Sequence, residues 1–360
     1  MSRSILALNS GSSSLKASLF RADGTRRNLH YEHIGAGFPH DHAEAFDALL
    51  KDLGGETPDA IGHRFVHGGD VIEAARLLDD AEVERLRGIV PLAPLHLPGN
   101  LLGVELCQAR FDVPQVACFD TAFHHDLPAL ARRLPIPDGL GMRRYGFHGL
   151  NYAYVASRLP SLLGETARGR VVVAHLGAGA SLCLLHNLQS VDTTMGYSPA
   201  GGIPMGTRSG DLDPGVMLEL ARRHDPAALQ DLVYHHMGLL ALSGGESSEM
   251  RALLESPSEA AAFAVDYFCA RVRAAIGAFA AQAGGIDALV FSGGIGEHAP
   301  RIRSRICEPL GFLGVALDAG ANLANQLRID APGAKPVLRI AADEETVIRD
   351  LVEAVAAHPR

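Results

Sequence analysis

The sequence predicts an α/β protein of two related domains, and three observations carry that expectation. Short β-branched or aliphatic runs end in glycine-rich turns at 5–11, 171–179 and 288–296. Between them lie alanine- and leucine-rich stretches of helical periodicity at 43–53, 98–109, 216–223 and 258–282. Strands mixed with helices in this way build α/β layers. Third, the run from Ile5 to Leu15 is echoed in plan by the run from Val172 to Leu182. Each reads as a strand, a small-residue turn and a second apolar run, that is, a β-hairpin. Two such hairpins half a chain apart point to a duplicated domain; in a chain with 39 glycines, chance recurrence of such turns is the alternative.

The composition bounds the function. At 360 residues the chain exceeds one ordinary core and indicates two domains. Hydrophobic residues at 47% and charged residues at 20% describe a soluble globular protein. A net charge of -9 leaves no basic surplus to neutralise phosphates, so neither nucleic acid nor an anionic membrane is an expected partner. The apolar run Ile5 to Leu8 is too brief for a signal peptide, and no stretch approaches a membrane span. Cys107, Cys118, Cys183, Cys269 and Cys307 are scattered without a CxxC pair, as expected of reduced thiols in the cytoplasm. The segments 164–169 and 331–336 read as surface loops.

The first turn, Asn9 to Lys16, is built of glycine and serine, so backbone N–H groups can converge on an anion without Cβ interference. Ser12 and Ser14 add hydroxyls. Lys16 adds a point charge, and the only other lysines of the chain are Lys51 and Lys335. An apolar alternation follows, so this is a strand-ending loop rather than a Walker motif; a plain serine-rich hairpin is the alternative. The second loop runs from His175 to Ser181 and the third from Phe291 to Glu297. Their glycines permit close approach of a phosphate or flat ligand, or equally close strand–helix packing.

The stretch Gly206-Thr207-Arg208-Ser209-Gly210-Asp211-Leu212-Asp213-Pro214-Gly215 places one arginine in a glycine-bounded loop. A guanidinium so held can grip a carboxylate or phosphate bidentately, or sit in an ordinary turn. Arg64 stands between His63 and His67, His96 between prolines, Asp120 at a strand end, and His148 between glycines. The histidines are not read as metal ligands.

With these segments in order, the chain resembles the acetate kinases of the acetate and sugar kinase, actin and heat-shock ATPase superfamily. The likeness runs nearly end to end, through NxGSSSLK, HRxVHGG, PLHxP, FDTAFH, RYGFHG, HLGxGAS, PxxGxxMGTRSGDxDPG, GGIGE and a closing acidic pair. It implies two duplicated ribonuclease-H-like (actin-like ATPase) domains with mixed sheets flanked by helices and the active site in the interdomain cleft. Residues 1–148 with 341–360 would form an N-terminal acyl and phosphate domain completed by the C-terminal helix. Residues 149–340 would form the nucleotide-binding domain.

The resemblance further implies direct in-line transfer of the ATP γ-phosphoryl group to acetate, giving acetyl phosphate and ADP, with Mg²⁺ or alternatively Mn²⁺. Such transfer needs positioning and charge neutralisation. Arg64 and Arg208 match the arginines that bind the carboxylate and the equatorial phosphoryl oxygens, and His148 the histidine that donates to the same group. Asp120 and Glu344 match the acids that organise the metal and nucleophile, with Asn9 nearby. Val66, Leu95, Phe147 and Pro199 match the apolar enclosure of the acetate methyl, which leaves propionate or butyrate as alternative acids because one methylene discriminates weakly. The nucleotide side is carried by Ser12, Ser14, Lys16, His175, Leu176, Gly177, Gly179, Glu249, Met250, Arg251, Gly293, Gly294, Ile295, Gly296 and His298.

Departures cluster on that side. Ala178 stands for an asparagine, Tyr152 for a histidine, His298-Ala299 for Asn-Ser, Glu249 for an aspartate and Ala342 for a threonine. They motivate a second class of reading, a nucleotide-binding sensor with weakened catalysis; a sugar kinase ranks below it because the paired arginines suit a carboxylate. A cytoplasmic homodimer is the expected assembly.

Overall fold

The computed structural model describes residues 3–11, 14–32, 34 and 39–357. The chain divides into two compact units. One comprises Met1–His125, Phe147–Tyr154 and Asp343–Arg360, the other Asp126–Gly146 and Val155–Ala342.

The first unit is built on strands β1 (Ile5–Ser10), β2 (Leu15–Phe20), β3 (Arg26–Tyr31), β4 (Ala60–Phe65), β5 (Ala75–Leu77) and β6 (Gln115–Phe119), in the order β3-β2-β1-β4-β6-β5. β1, β2 and β3 form an antiparallel meander, β4 pairs parallel with both β1 and β6, and β5 closes the far edge antiparallel. The strand period of two sorts β1 between two layers. Leu6 and Leu8 pack with Ala45, Phe46 and Leu49 of the helix His42–Asp52. Ile5 and Ala7 face the other way, toward Ile348 and Val352 of the helix Glu344–Ala357. Gly62 on β4 lets that helix approach: a Cβ there would lie 2.4 Å from Ile348 Cγ2 and 2.6 Å from Val352 Cγ2.

The second unit carries β7 (Arg170–Leu176), β8 (Ala180–His186), β9 (Gln189–Thr193), β10 (Ala288–Ser292) and β11 (Val337–Arg339), in the order β11-β10-β7-β8-β9. Again a three-stranded antiparallel meander pairs its first strand parallel with the next strand in sequence, which pairs parallel with the last. The hairpin echo in the sequence is the visible part of this shared topology. Asn187 and Leu188, at φ 52° and 66°, make the two-residue turn between β8 and β9. The long helix Glu259–Ala283 is capped by Ser258, whose side chain accepts from the Ala261 N–H. It stops at Gly284 in the left-handed region, φ 72°.

The observed helices His42–Asp52, Leu97–Arg110, Pro214–Arg223 and Glu259–Ala283 match the four periodic stretches to within two residues at each end. The third loop differs from expectation. β10 ends at Ser292 and Gly293–His298 is a short helix. Gly293 turns the chain at φ 76°, where a Cβ would meet the Leu176 carbonyl oxygen at 2.8 Å. The buried Arg303 then caps the helix by donating from Nη1 to the carbonyls of Gly296 (2.8 Å) and Glu297 (3.0 Å). The segment 164–169, expected as a loop, holds a 3₁₀ helix at Gly164–Arg168 around buried Ala167. All five cysteines are free and buried. Among the described residues no helix is long and apolar enough to cross a membrane.

Candidate active site

In the first unit four chain segments meet at the ends of β1, β4 and β6. Arg64, near the end of β4, donates to Asp120 Oδ2 from Nε at 3.1 Å and Nη2 at 2.6 Å. Its Nη1 donates to Asn9 Oδ1 on β1 at 2.9 Å. Asn9 Nδ2 in turn donates to Glu344 Oε2 at 2.7 Å and Glu345 Oε1 at 3.2 Å, both in the first turn of the helix Glu344–Ala357. Glu344 Oε2 also stands 3.6 Å from Arg64 Nε. Asp120, Arg64, Asn9 and Glu344 are therefore brought together in one polar cluster.

The electrostatics are unbalanced. Burial pushes the Asp120 carboxyl up, Arg64 pulls it down, and Glu344 pushes it up again, with the balance upward. Burial works against the charge on Arg64, but Asp120 and Glu344 outweigh it and hold the guanidinium above its ordinary value. Arg64 alone faces both Asp120 and Glu344, while Glu345 has a second guanidinium, Arg26, at 3.7 Å, so the excess negative charge that a cation would neutralise lies at Asp120 and Glu344. Among the described residues no three His, Cys, Asp or Glu groups are spaced to hold a metal ion directly. The carboxylates of Asp120 and Glu344 are hard oxygen donors, the kind that Mg²⁺ takes in small number while keeping several waters.

His148 stands at φ 58°, in the left-handed region. Its segment is locked against the 3₁₀ turn Asp120–His124. The Leu150 N–H donates to Asp120 Oδ1 at 3.4 Å, and His124 Nε2 meets the Phe147 carbonyl at 3.0 Å. Gly149 cannot be anything larger, since a Cβ would fall 1.8 Å from the Asp120 carbonyl oxygen. Tyr152, the departure noted above, is fully buried with its ring 5.6 Å from that of His124. Burial pushes His63 and His124 down to about 4, so both are neutral near pH 7. His63 and His67 are four residues apart, but His63 lies on a strand and meets Gln115 Oε1 at 2.7 Å.

Of the expected apolar enclosure, Val66 and Phe147 are buried in this unit, and Phe147 packs edge-on against His67 with centroids 5.5 Å apart. Leu95 is half-buried in the turn before the helix Leu97–Arg110. Lys16 is exposed on β2 directly across from Asn9. The Ser14 carbonyl accepts the Gly11 N–H at 2.8 Å. Ser12 lies outside the described residues.

The second unit gathers the other set. Arg208 Nη1 donates to the Pro199 carbonyl at 2.6 Å, and among the described residues no carboxylate pairs with it. Burial pushes Arg208 down to about 10, still charged at neutral pH. Its loop is held by the Met205 N–H donating to the Arg208 carbonyl (2.9 Å) and by the Gly206 N–H donating to the Ala178 carbonyl (3.2 Å). Gly206 also abuts the Ser248 carbonyl, which a Cβ would approach to 3.2 Å. Beside it the turn after β7 folds back, the Gly177 N–H donating to the Gly179 carbonyl at 3.0 Å. His175 is half-buried and Leu176 fully buried. A Cβ on Gly177 would lie 3.8 Å from the Gly294 nitrogen, so the second and third loops are neighbours. Gly294 and His298 are exposed, Ile295 half-buried and Gly296 buried. Glu249 and Arg251 are exposed on either side of buried Met250.

Sequence reading passed over Glu345, Gly149 and Arg303. The Glu-Glu pair was the available signal for the first; nothing local marks Arg303, whose partners Asn322 and Asn325 come from a separate segment.

The profile of the Acetokinase family matches residues 32–350. An acetate kinase of Rhodopseudomonas palustris is 42% identical over an alignment of 391 positions, gaps included, covering 97% of this chain and 97% of the relative. A propionate kinase of Citrobacter rodentium is 39% identical over 398, covering 99% and 98%. Among solved structures, a propionate kinase from Francisella tularensis superposes with TM-score 0.87 at 30% identity over 98% of this chain and 100% of its own. An acetate kinase from Porphyromonas gingivalis does so with TM-score 0.81 at 30% identity, over 99% and 100%.

Proposed function

Because the chain belongs to the Acetokinase family, we propose that it transfers the γ-phosphoryl group of ATP to acetate, reversibly, giving acetyl phosphate and ADP. The observation that carries this reading is the Arg64 guanidinium clamped by Asp120 and Asn9 beside Glu344. A carboxylate oxygen of acetate attacks phosphorus while the bond to the β-phosphate oxygen breaks, so no proton has to move. What the protein must supply is placement and countercharge.

Arg64 orients the acetate carboxylate. Arg208, unpaired by any described carboxylate, offers its remaining N–H groups to the equatorial phosphoryl oxygens. His148, fixed by the Gly149 approach, donates a hydrogen bond to the same group. Asn9 and Glu344, with Asp120, would hold a hydrated Mg²⁺ (or Mn²⁺), which when bound neutralises charge on the phosphates. Val66, Leu95, Phe147 and Pro199 enclose the methyl group. Ser12, Ser14 and Lys16 take phosphate oxygens, and the 175–179, 249–251 and 293–298 segments take the nucleotide. In this reading the acyl and phosphate domain, expected at 1–148 with 341–360, corresponds to the first unit, and the nucleotide domain, expected at 149–340, to the second, with 126–146, 149–154 and 341–342 changing sides.

Propionate is the second acid, favoured by the propionate kinase relative at 39% identity, close to the 42% of the acetate kinase. Turnover of purified protein with acetate, propionate and butyrate, each with ATP and GTP, decides between them. No turnover with any of the three acids overturns the proposal. A cytoplasmic homodimer completes the reading. Its dimeric part is supported by the helices Pro214–Arg223 and Pro226–His235, which bury no residue within the chain and leave Leu218 63% exposed.

A further inference from the structure

We propose that Arg26 is a positioning residue for the Glu344–Glu345 pair, tying the start of their helix to the edge strand β3. The inference rests on the placement of Glu344 and Asn9 at the reacting site. Arg26 lies on the outermost strand of the first sheet, where an exposed arginine ordinarily does little. Here its fork is spoken for on both sides. Toward the sheet, Nε donates to Asn28 Oδ1 at 2.6 Å, and Nε and Nη2 donate to Ser18 Oγ at 3.2 and 3.0 Å. Toward the helix, Nη1 donates to Asp343 Oδ2 at 2.8 Å and Thr346 Oγ1 at 3.2 Å, and Nη2 stands 3.7 Å from Glu345 Oε2. The guanidinium also lies over the Phe20 ring, 4.8 Å from its centroid, and Arg349 of the same helix approaches that ring at 5.0 Å.

The contacts bracket the carboxylates. Asp343 and Thr346 flank the pair in sequence, and each holds the other: Asp343 Oδ2 accepts from Thr346 Oγ1 at 2.7 Å. Glu345 then links Arg26 to Asn9, and Asn9 links to Arg64, so one row of polar contacts runs from β3 through β1 to β4. A planar, five-donor fork can serve all these acceptors at once, whereas an ammonium cannot. Arg26 touches no reacting group. It sets where the carboxylates sit, as outer partners of metal-binding side chains do.

The test uses the full-length protein with Arg26→Ala, Arg26→Lys and Asp343→Asn. Asparagine still caps the helix, so that variant removes the ion pair while keeping the helix start. The expected result is Mn²⁺ affinity weakened about 10-fold in Arg26→Ala, read by electron paramagnetic resonance with ADP present. Arg26→Lys and Asp343→Asn should fall between this and wild type, with the KM for MgATP rising in parallel and the KM for acetate unchanged. Amide hydrogen exchange at residues 344–348 should speed up in the same order without metal. A lowered Tm accompanied by wild-type Mn²⁺ affinity and exchange would overturn the proposal, leaving Arg26 a merely structural residue. A wild-type protein that transfers no phosphoryl group, yet shows the graded Mn²⁺ and exchange effects, would sink the kinase reading and leave the role of Arg26 standing.

Discussion

Arg64 and Asp120 meet through a single oxygen: both Nε and Nη2 of the arginine donate to Asp120 Oδ2, at 3.1 and 2.6 Å. Oδ1 is left to the Leu150 N–H at 3.4 Å. Among the described residues Arg208 has no such counterion. The two arginines should therefore respond differently to removal. Arg64→Ala strands a fully buried carboxylate and should cost about 3–5 kcal/mol of stability as well as activity. Arg64→Ala with Asp120→Asn should recover most of that stability and no turnover. Chemical denaturation of the single and double variants checks this.

Arg208→Ala removes one hydrogen bond to a carbonyl together with a guanidinium that burial already disfavours. Stability should change by about 1 kcal/mol or less, while kcat falls by roughly 10²–10³. A large loss of stability, or near-normal kcat, would contradict the assigned role.

His63 and His124 give stability a pH dependence. Burial pushes each down to about 4 in the folded protein, against about 6.5 when unfolded. As pH falls below 6.5 the unfolded chain takes up protons first. The stability they contribute is therefore complete above pH 6.5 and lost progressively toward pH 4. Each can account for up to about 3 kcal/mol. Urea midpoints measured from pH 7 to 4 should fall, and more shallowly in His124→Gln, which can still donate to the Phe147 carbonyl.

Two glycine substitutions should act in opposite directions. Gly149→Ala places a methyl 1.8 Å from the Asp120 carbonyl oxygen and should abolish activity and lower Tm sharply. Gly277→Ala, in the long helix with nothing within 4 Å of the new methyl, should raise stability by about 0.5–1 kcal/mol. Thermal melts and turnover of both variants decide it.

Leu218→Glu should convert a dimer to a monomer with little change in the melting of the isolated chain, since Leu218 is 63% exposed there on a helix that buries no residue. Light scattering after gel filtration reads the mass. A variant of unchanged mass would place the interface elsewhere.

What could be read from the sequence was whatever local spacing encodes. The β1–β2 and β7–β8 hairpins, the long helices and the glycine-bounded turns all carry their signal within a dozen residues. What could not be read depends on partners far away in the chain. The helix Gly293–His298 hides in a glycine-rich run because its cap, Arg303, and its turn-forming contact at Leu176 are not neighbours in sequence. Arg64, Asp120, Asn9 and Glu344 were each recognisable by motif. That Asn9 bridges an arginine and two glutamates follows only from the pairing of β1 with β4 and the docking of the helix over Gly62.

That docking has a consequence for biosynthesis. The helix Glu344–Ala357 covers one face of the first sheet, yet a ribosome adds it only after the whole of Val155–Ala342. Until then Ile5, Ala7, Val116 and Cys118 of the nascent chain lack the apolar cover of Ile348 and Val352, and the cleft over Gly62 stands open. The first unit to emerge is thus the last to be finished. The same late segment brings Glu344 and Glu345, so closure of the core and completion of the acidic centre are one event. A chain arrested before residue 344 would expose an adhesive sheet and carry no acidic pair beside Asn9.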